Sequence, residues 1–146
     1  MTTEKDTTNL FQSALIAEKK DNGVTYRLYE NRIYHVFIPS NIEVGMELIN
    51  KGYDFLNEHG GGKFYNIFQF DSFSSIEPEI REWASNTSGN HNTHSDAIVI
   101  DSLSQKILAD FYLRVNKPKK PTKIFYSLGK AIVWTLAQIK LDKLND

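Results

Sequence analysis

The sequence predicts an α/β fold: a mixed, mostly parallel central sheet of about five strands with an N-terminal antiparallel hairpin, flanked by about four helices. Three observations carry this. Two β-rich runs, Val24–Tyr29 and Ile33–Ile38, are separated by the short turn Glu30-Asn31-Arg32, a spacing that suits an antiparallel hairpin. Three more strand-like runs follow, over residues 63–70, 97–100 and 122–126. Segments with helical period stand between and after them, and strands that alternate with helices imply parallel crossovers.

Each element has its local reason. Residues 1–9 are polar and Thr-rich, read as a disordered tail, with residues 10–146 as one domain. Ala14-Leu15-Ile16-Ala17 fits either helix or strand, because so short a run sets no period. Asp21-Asn22-Gly23 is a turn signal. Val24, Tyr26 and Leu28 alternate with Thr25, Arg27 and Tyr29, and Pro39 ends the second strand. Ser40 and Glu43 have capping-box spacing ahead of a helix whose apolar face is Met46, Ile49, Tyr53 and Leu56. Gly60-Gly61-Gly62 stops that helix. Ser74 and Glu77 repeat the capping spacing ahead of Ile76, Ile80, Trp83 and Ala84. Residues 86–95 read as a polar loop. A third helix carries Ile107, Leu108, Phe111, Tyr112 and Val115, with Ser102 and Gln105 at its start, and residues 117–121 break it. Ser127 caps a last helix with Leu128, Ile132, Leu136 and Ile139 on one face.

Composition removes several function classes. The 17 basic and 18 acidic residues leave a net charge of -1, which does not fit a nucleic-acid binder driven by bulk charge. With no cysteine there is no disulfide framework, thiolate zinc site or cysteine nucleophile. No uninterrupted apolar run exceeds four residues, and the polar start lacks a secretory signal, so a cytoplasmic domain is expected. No nucleophile elbow, Gly-rich dinucleotide turn or His-Glu metal motif is present, so no enzyme and no cofactor are expected. His59-Gly60-Gly61-Gly62-Lys63 is not a phosphate loop: Asn57 and Phe64 stand where that motif needs Gly and Ser or Thr.

Residues 97–125, AIVIDSLSQKILADFYLRVNKPKKPTKIF, give the layout a more specific cast. This strand–helix–NKP–PTKIF pattern resembles the STAS superfamily, and within it the SpoIIAA-like relatives of bacterial anti-sigma factor antagonists. The likeness extends over about residues 24–140. It implies a small sheet flanked by helices and a non-enzymatic binding module whose serine phosphorylation switches a protein partner, a kinase or regulator. Other proteins of that type have been proposed to bind small lipophilic ligands or membrane surfaces. The resemblance also implies a homodimer, for which Trp134, off the buried stripe of the last helix, is a candidate contact.

Three constellations are candidate sites. Ser75, or else Ser74, matches the modified serine implied by the resemblance, although both also suit plain helix capping. Lys117, Lys119, Lys120 and Lys123 sit in a stretch, residues 114–123, with five basic and no acidic residues. They suit an anion or membrane-surface contact, or a solvated loop after a helix end. His91 and His94 with Asp96 have a weak metal-ligand spacing in a polar loop, and no metal is expected there.

Overall fold

The computed structural model describes residues 10–86 and 93–145. Strands β1 (Leu15–Asp21), β2 (Val24–Tyr29) and β3 (Ile33–Ile38) open the chain. Then come the two-residue β4 (Glu43–Val44), helix α1 (Met46–Glu58) and strand β5 (Phe64–Phe70). The two-residue β6 (Ser75–Ile76), helix α2 (Pro78–Ser85) and strand β7 (Thr93–Val99) follow. Helix α3 (Leu103–Phe111) continues as a π turn over Tyr112–Asn116, ahead of β8 (Thr122–Phe125) and α4 (Leu128–Leu144). The main sheet has six strands in the order β1-β2-β3-β5-β7-β8, and β4 and β6 form a small second sheet. β1, β2 and β3 pair antiparallel; β3, β5, β7 and β8 pair parallel.

The sixth strand is the segment whose period was ambiguous. Residues 15–21 alternate half-buried and exposed, the pattern of an edge strand with one face on the core. Asn22 and Gly23 both take positive φ, +51° and +81°, which matches the two-residue hairpin turn between Asp21 and Val24. The three glycines after α1 also have positive φ, as expected of a helix stop.

Two expected helix starts are corrected. Ser40 and Glu43 form no capping box. The chain turns at Asn41, φ +68°, and Glu43–Val44 pairs in parallel with Ser75–Ile76, so α1 begins after Gly45. Burying Val44 in the core outweighs a local cap. Ser74 caps nothing either: Glu77 is the N-cap of α2 and Pro78 its first residue, a position proline suits because the lost N–H has no helical partner there. Ser102 and Ser127 do cap, accepting from the backbone N–H of Gln105 (3.3 Å) and Lys130 (3.2 Å). Part of the expected polar loop is strand, since β7 starts at Thr93.

Each face of the sheet has its own core. On one, α4 covers Ile33, Tyr65, Ile67, Ala97 and Val99, and Phe11 stacks on Tyr29. Trp134 is half-buried and packs on this core, its ring 5.7 Å from that of Phe125. Exposed apolar positions lie on both helices, among them Leu103 and Ile107 on α3 and Val133 and Leu141 on α4. On the opposite face α1 and α2 cover Tyr34, Val36, Ile38, Phe64 and Phe70. Each such large side chain contributes roughly 1.5–3 kcal/mol by leaving water. α3 completes this second layer without filling it.

Candidate functional site

The space left is an apolar cavity of about 140 Å³ between the sheet and α1, α2 and α3. β3 contributes Tyr34, Val36 and Ile38; β5 contributes Asn66, Phe68 and Phe70; β7 and the residue after it contribute Asp96, Ile98 and Ile100. These are alternate positions of each strand, so one face supplies them all. From the helices come Leu48, Tyr53, Trp83, Leu108 and Ala109. Gly52 of α1 is needed for fit: a Cβ there would run into the Tyr34 hydroxyl.

One set of polar groups gathers where β5 and β7 begin, while Ser74, Ser75, Arg81 and Gln105 line the cavity elsewhere. Asp96 is 5% exposed. Its Oδ2 lies 3.0 Å from the Lys120 ammonium, and its Oδ1 accepts from Asn66 Nδ2 at 3.0 Å. Asn66 also donates to Thr93 Oγ1 at 2.9 Å, and Lys120 to the Ala84 carbonyl at 2.9 Å. Tyr112, from the π turn, lines the same cavity, and its buried hydroxyl has no partner among the described residues. Burial pushes the Asp96 carboxyl up, while the Lys120 charge and the Asn66 bond pull it back. Burial, and then the charge of Asp96, raises the Tyr112 hydroxyl, and the same two causes push Tyr53 up to about 12. Both phenols therefore stay protonated at neutral pH.

The basic loop accordingly divides. Lys117, Lys119 and Lys123 are exposed, but Lys120 points inward with its side chain 8% exposed, and is withdrawn from any surface contact. The serines divide as well. Ser74 is 2% exposed; its hydroxyl donates to the Asp71 carbonyl at 2.6 Å and accepts from Gln105 Nε2 at 3.4 Å. Gln105 also donates to the carbonyls of Asp71 and Ser74, tying the β5–β6 loop to α3. Ser75 is half-buried, with its hydroxyl 3.4 Å from the Glu43 carboxylate. Neither serine stands at a helix N-terminus, because α2 starts at Pro78. His91 lies outside the described residues. His94 stacks on Tyr65 on the other face of the sheet and is 3.8 Å from Asp142, whereas Asp96 faces the cavity, so these two do not converge. Among the described residues no group of three potential metal ligands comes together.

Sequence reasoning missed Asn66, Tyr112 and the Asp96–Lys120 pair. One signal was available: Asn66 and Gln69 interrupt an otherwise apolar strand, and Asp96 directly precedes the wholly apolar Ala97–Ile100 stretch. A buried polar residue in such a place needs a partner.

Residues 26–140 match the model of a family described as a domain of unknown function, DUF7793. The chain belongs to this family. The matched span of the DUF7793 domain holds every residue that lines the cavity, and Lys120 with them. No curated protein and no solved structure matches the chain. No helix among the described residues is long and apolar enough to cross a membrane.

Proposed function

We propose that this domain is a non-enzymatic binding module, on a STAS-like scaffold, that holds a small and largely apolar molecule between its sheet and helices α1–α3. The observation that carries this is the cavity itself: about 140 Å³ with mostly aromatic and aliphatic walls and a few polar groups. That combination is the usual character of a small-molecule site. A dry cavity of similar size, about 150 Å³, accepts a benzene-sized guest.

Titration with small aromatic probes, read by two-dimensional NMR and thermal melting, tests the proposal. Shifts should concentrate on cavity residues such as Ile98, Leu108 and Ala109, and the melting temperature should rise. At a probe concentration about 100 times its Kd the stabilisation is about 2.7 kcal/mol. Ala109→Phe, which puts a ring into the space, should abolish both effects. No response to any probe, or the same response in Ala109→Phe, refutes it.

A regulatory role, with a protein partner chosen by phosphorylation, is a second reading of the same module. It finds its support at Ser75 rather than Ser74, since only Ser75 is within a kinase's reach without loosening Gln105. The neighbouring Glu43 opposes it, because a phosphate there meets like charge. Phosphopeptide mapping of protein from its native cells should find Ser74 unmodified.

A further inference from the structure

We infer that the cavity selects a neutral, single-ring aromatic alcohol, a phenol, over the matching hydrocarbon or carboxylate. The inference rests on the cavity reading above and adds the chemistry of its occupant. Size comes first. About 140 Å³ leaves room for one ring with small substituents. The walls favour an aromatic ring. Tyr53 and Trp83, both lining, meet edge to face at 6.0 Å, and Tyr34 and Phe68 flank the same space.

The polar end then sets the functional group. The Asn66 amide donates to Asp96 and Thr93, and the Lys120 ammonium is engaged by Asp96 and the Ala84 carbonyl. Among the described residues, the Tyr112 hydroxyl, 6% exposed, lines the cavity buried and without a partner, and it can donate and accept. Tyr112 and Asp96 both line the cavity, and the Asp96 carboxylate accepts only. A guest hydroxyl can both accept from the Tyr112 hydroxyl and donate to a carboxylate.

The alternatives fit less well. A hydrocarbon leaves the buried Tyr112 hydroxyl unsatisfied. A carboxylate brings a second negative charge to the Asp96 end, whose own charge Lys120 already balances, while Arg81, a cation that lines the cavity, is engaged by the Ile76 carbonyl and the Phe111 ring. A guest ammonium would lose its hydration to enter a site where Lys120 already balances Asp96 and the Arg81 cation also lines the wall.

The test uses the full chain and three probes of one shape: p-cresol, toluene and p-toluate. Affinities are measured by NMR titration for the natural protein and for Tyr112→Phe, which removes only an unpartnered hydroxyl. We expect p-cresol to bind at least about tenfold more tightly than toluene, the scale of one unsatisfied buried group. In Tyr112→Phe that preference should shrink by about tenfold, while toluene binding stays or improves, which also reports that the variant is folded. p-Toluate should be the weakest of the three. Toluene or p-toluate binding as tightly as p-cresol, or an undiminished preference in Tyr112→Phe, overturns the phenol inference and leaves the cavity reading standing. If none of the three binds, the cavity reading itself falls, and this inference with it.

Discussion

Lys120→Met isolates the most unusual feature of the interior. Methionine keeps most of the apolar stem of lysine but removes the ammonium that lies 3.0 Å from Asp96. The carboxylate is then left with the Asn66 bond, in a place where its side chain is only 7% exposed. Removing one member of a buried pair costs about 3–5 kcal/mol, because the remaining charge is uncompensated. That is a large share of the total stability of a domain, typically about 5–15 kcal/mol. The penalty carries a signature. Without Lys120 the Asp96 carboxyl, already raised by burial, rises further. A carboxyl raised in the folded state takes up its proton there first. Its destabilisation is therefore absent at low pH and grows as pH climbs through the folded pKa, by at most about 1.4 kcal/mol per unit. Urea unfolding can be followed through the two tryptophans, Trp83 and Trp134, at several pH values from 5 to 8. The deficit of Lys120→Met against the natural protein should be largest at pH 8 and smaller at pH 5. Asp96→Asn with Lys120→Met should recover at least about 1 kcal/mol of it, the coupling expected of residues in contact. Recovery stays partial because the bond to the Ala84 carbonyl is also lost. A deficit below about 1 kcal/mol, a deficit independent of pH, or a double variant no better than the single would refute the reasoning.

Two further predictions concern the frame. His35 is buried on the α4 face, with Nε2 2.8 Å from Gln69 Oε1 and Nδ1 unpartnered, and burial lowers its pKa to about 4. The unfolded chain protonates near 6.5 and the folded one resists until about 4, so stability present above pH 6.5 is lost as pH falls through that window, by about 3 kcal/mol. Urea midpoints of the natural protein and His35→Leu should therefore converge or cross between pH 7 and 4.5, and parallel curves would contradict this. Gly52→Ala should lower stability by about 1–3 kcal/mol although alanine favours helix, because its methyl meets the Tyr34 hydroxyl. Adding Tyr34→Phe should relieve most of that loss in thermal melts, and no relief would mean the clash is not the cause.

What the sequence made legible follows the range of the interactions involved. Ser102 and Ser127 were readable as caps because a cap reaches only three residues along the chain. The glycine stop after α1 was readable for the same reason. Ser40 and Ser74 had equally good local credentials and failed together, at the two segments that meet in the β4–β6 pairing. A partner more than thirty residues away decided both, and local spacing carries no trace of it. Pro78 was the better local signal for α2, since it marks a first helical position more sharply than a serine four residues earlier. Lys120 was misplaced by the same mechanism. Composition presents residues 114–123 as a basic surface loop, and three of its lysines behave so. The fourth is turned inward by Asp96, twenty-four residues upstream and adjacent only because β7 and β8 pair in parallel.

The costly features of the cavity face also have a common location. Asp96 is ionic and buried, Tyr112 holds an unpartnered hydroxyl, and the wall atoms around the void lack partners on one side. Each lowers stability: the first through desolvation, the second through a missing hydrogen bond, the third through lost dispersion contacts. The α4 face has orphaned atoms too, His35 Nδ1 and Ser95 Oγ, but neither lines the cavity. An isolated orphan is a local packing compromise. Three different penalties around one space are what the proposed guest would relieve, by filling the void and pairing with the Tyr112 hydroxyl. Such a guest would stabilise the domain by more than its apolar contacts alone. It follows that removing the Tyr112 hydroxyl should stabilise the empty protein while weakening its grip on a hydroxylated guest. A purely structural tyrosine would move both quantities in the same direction.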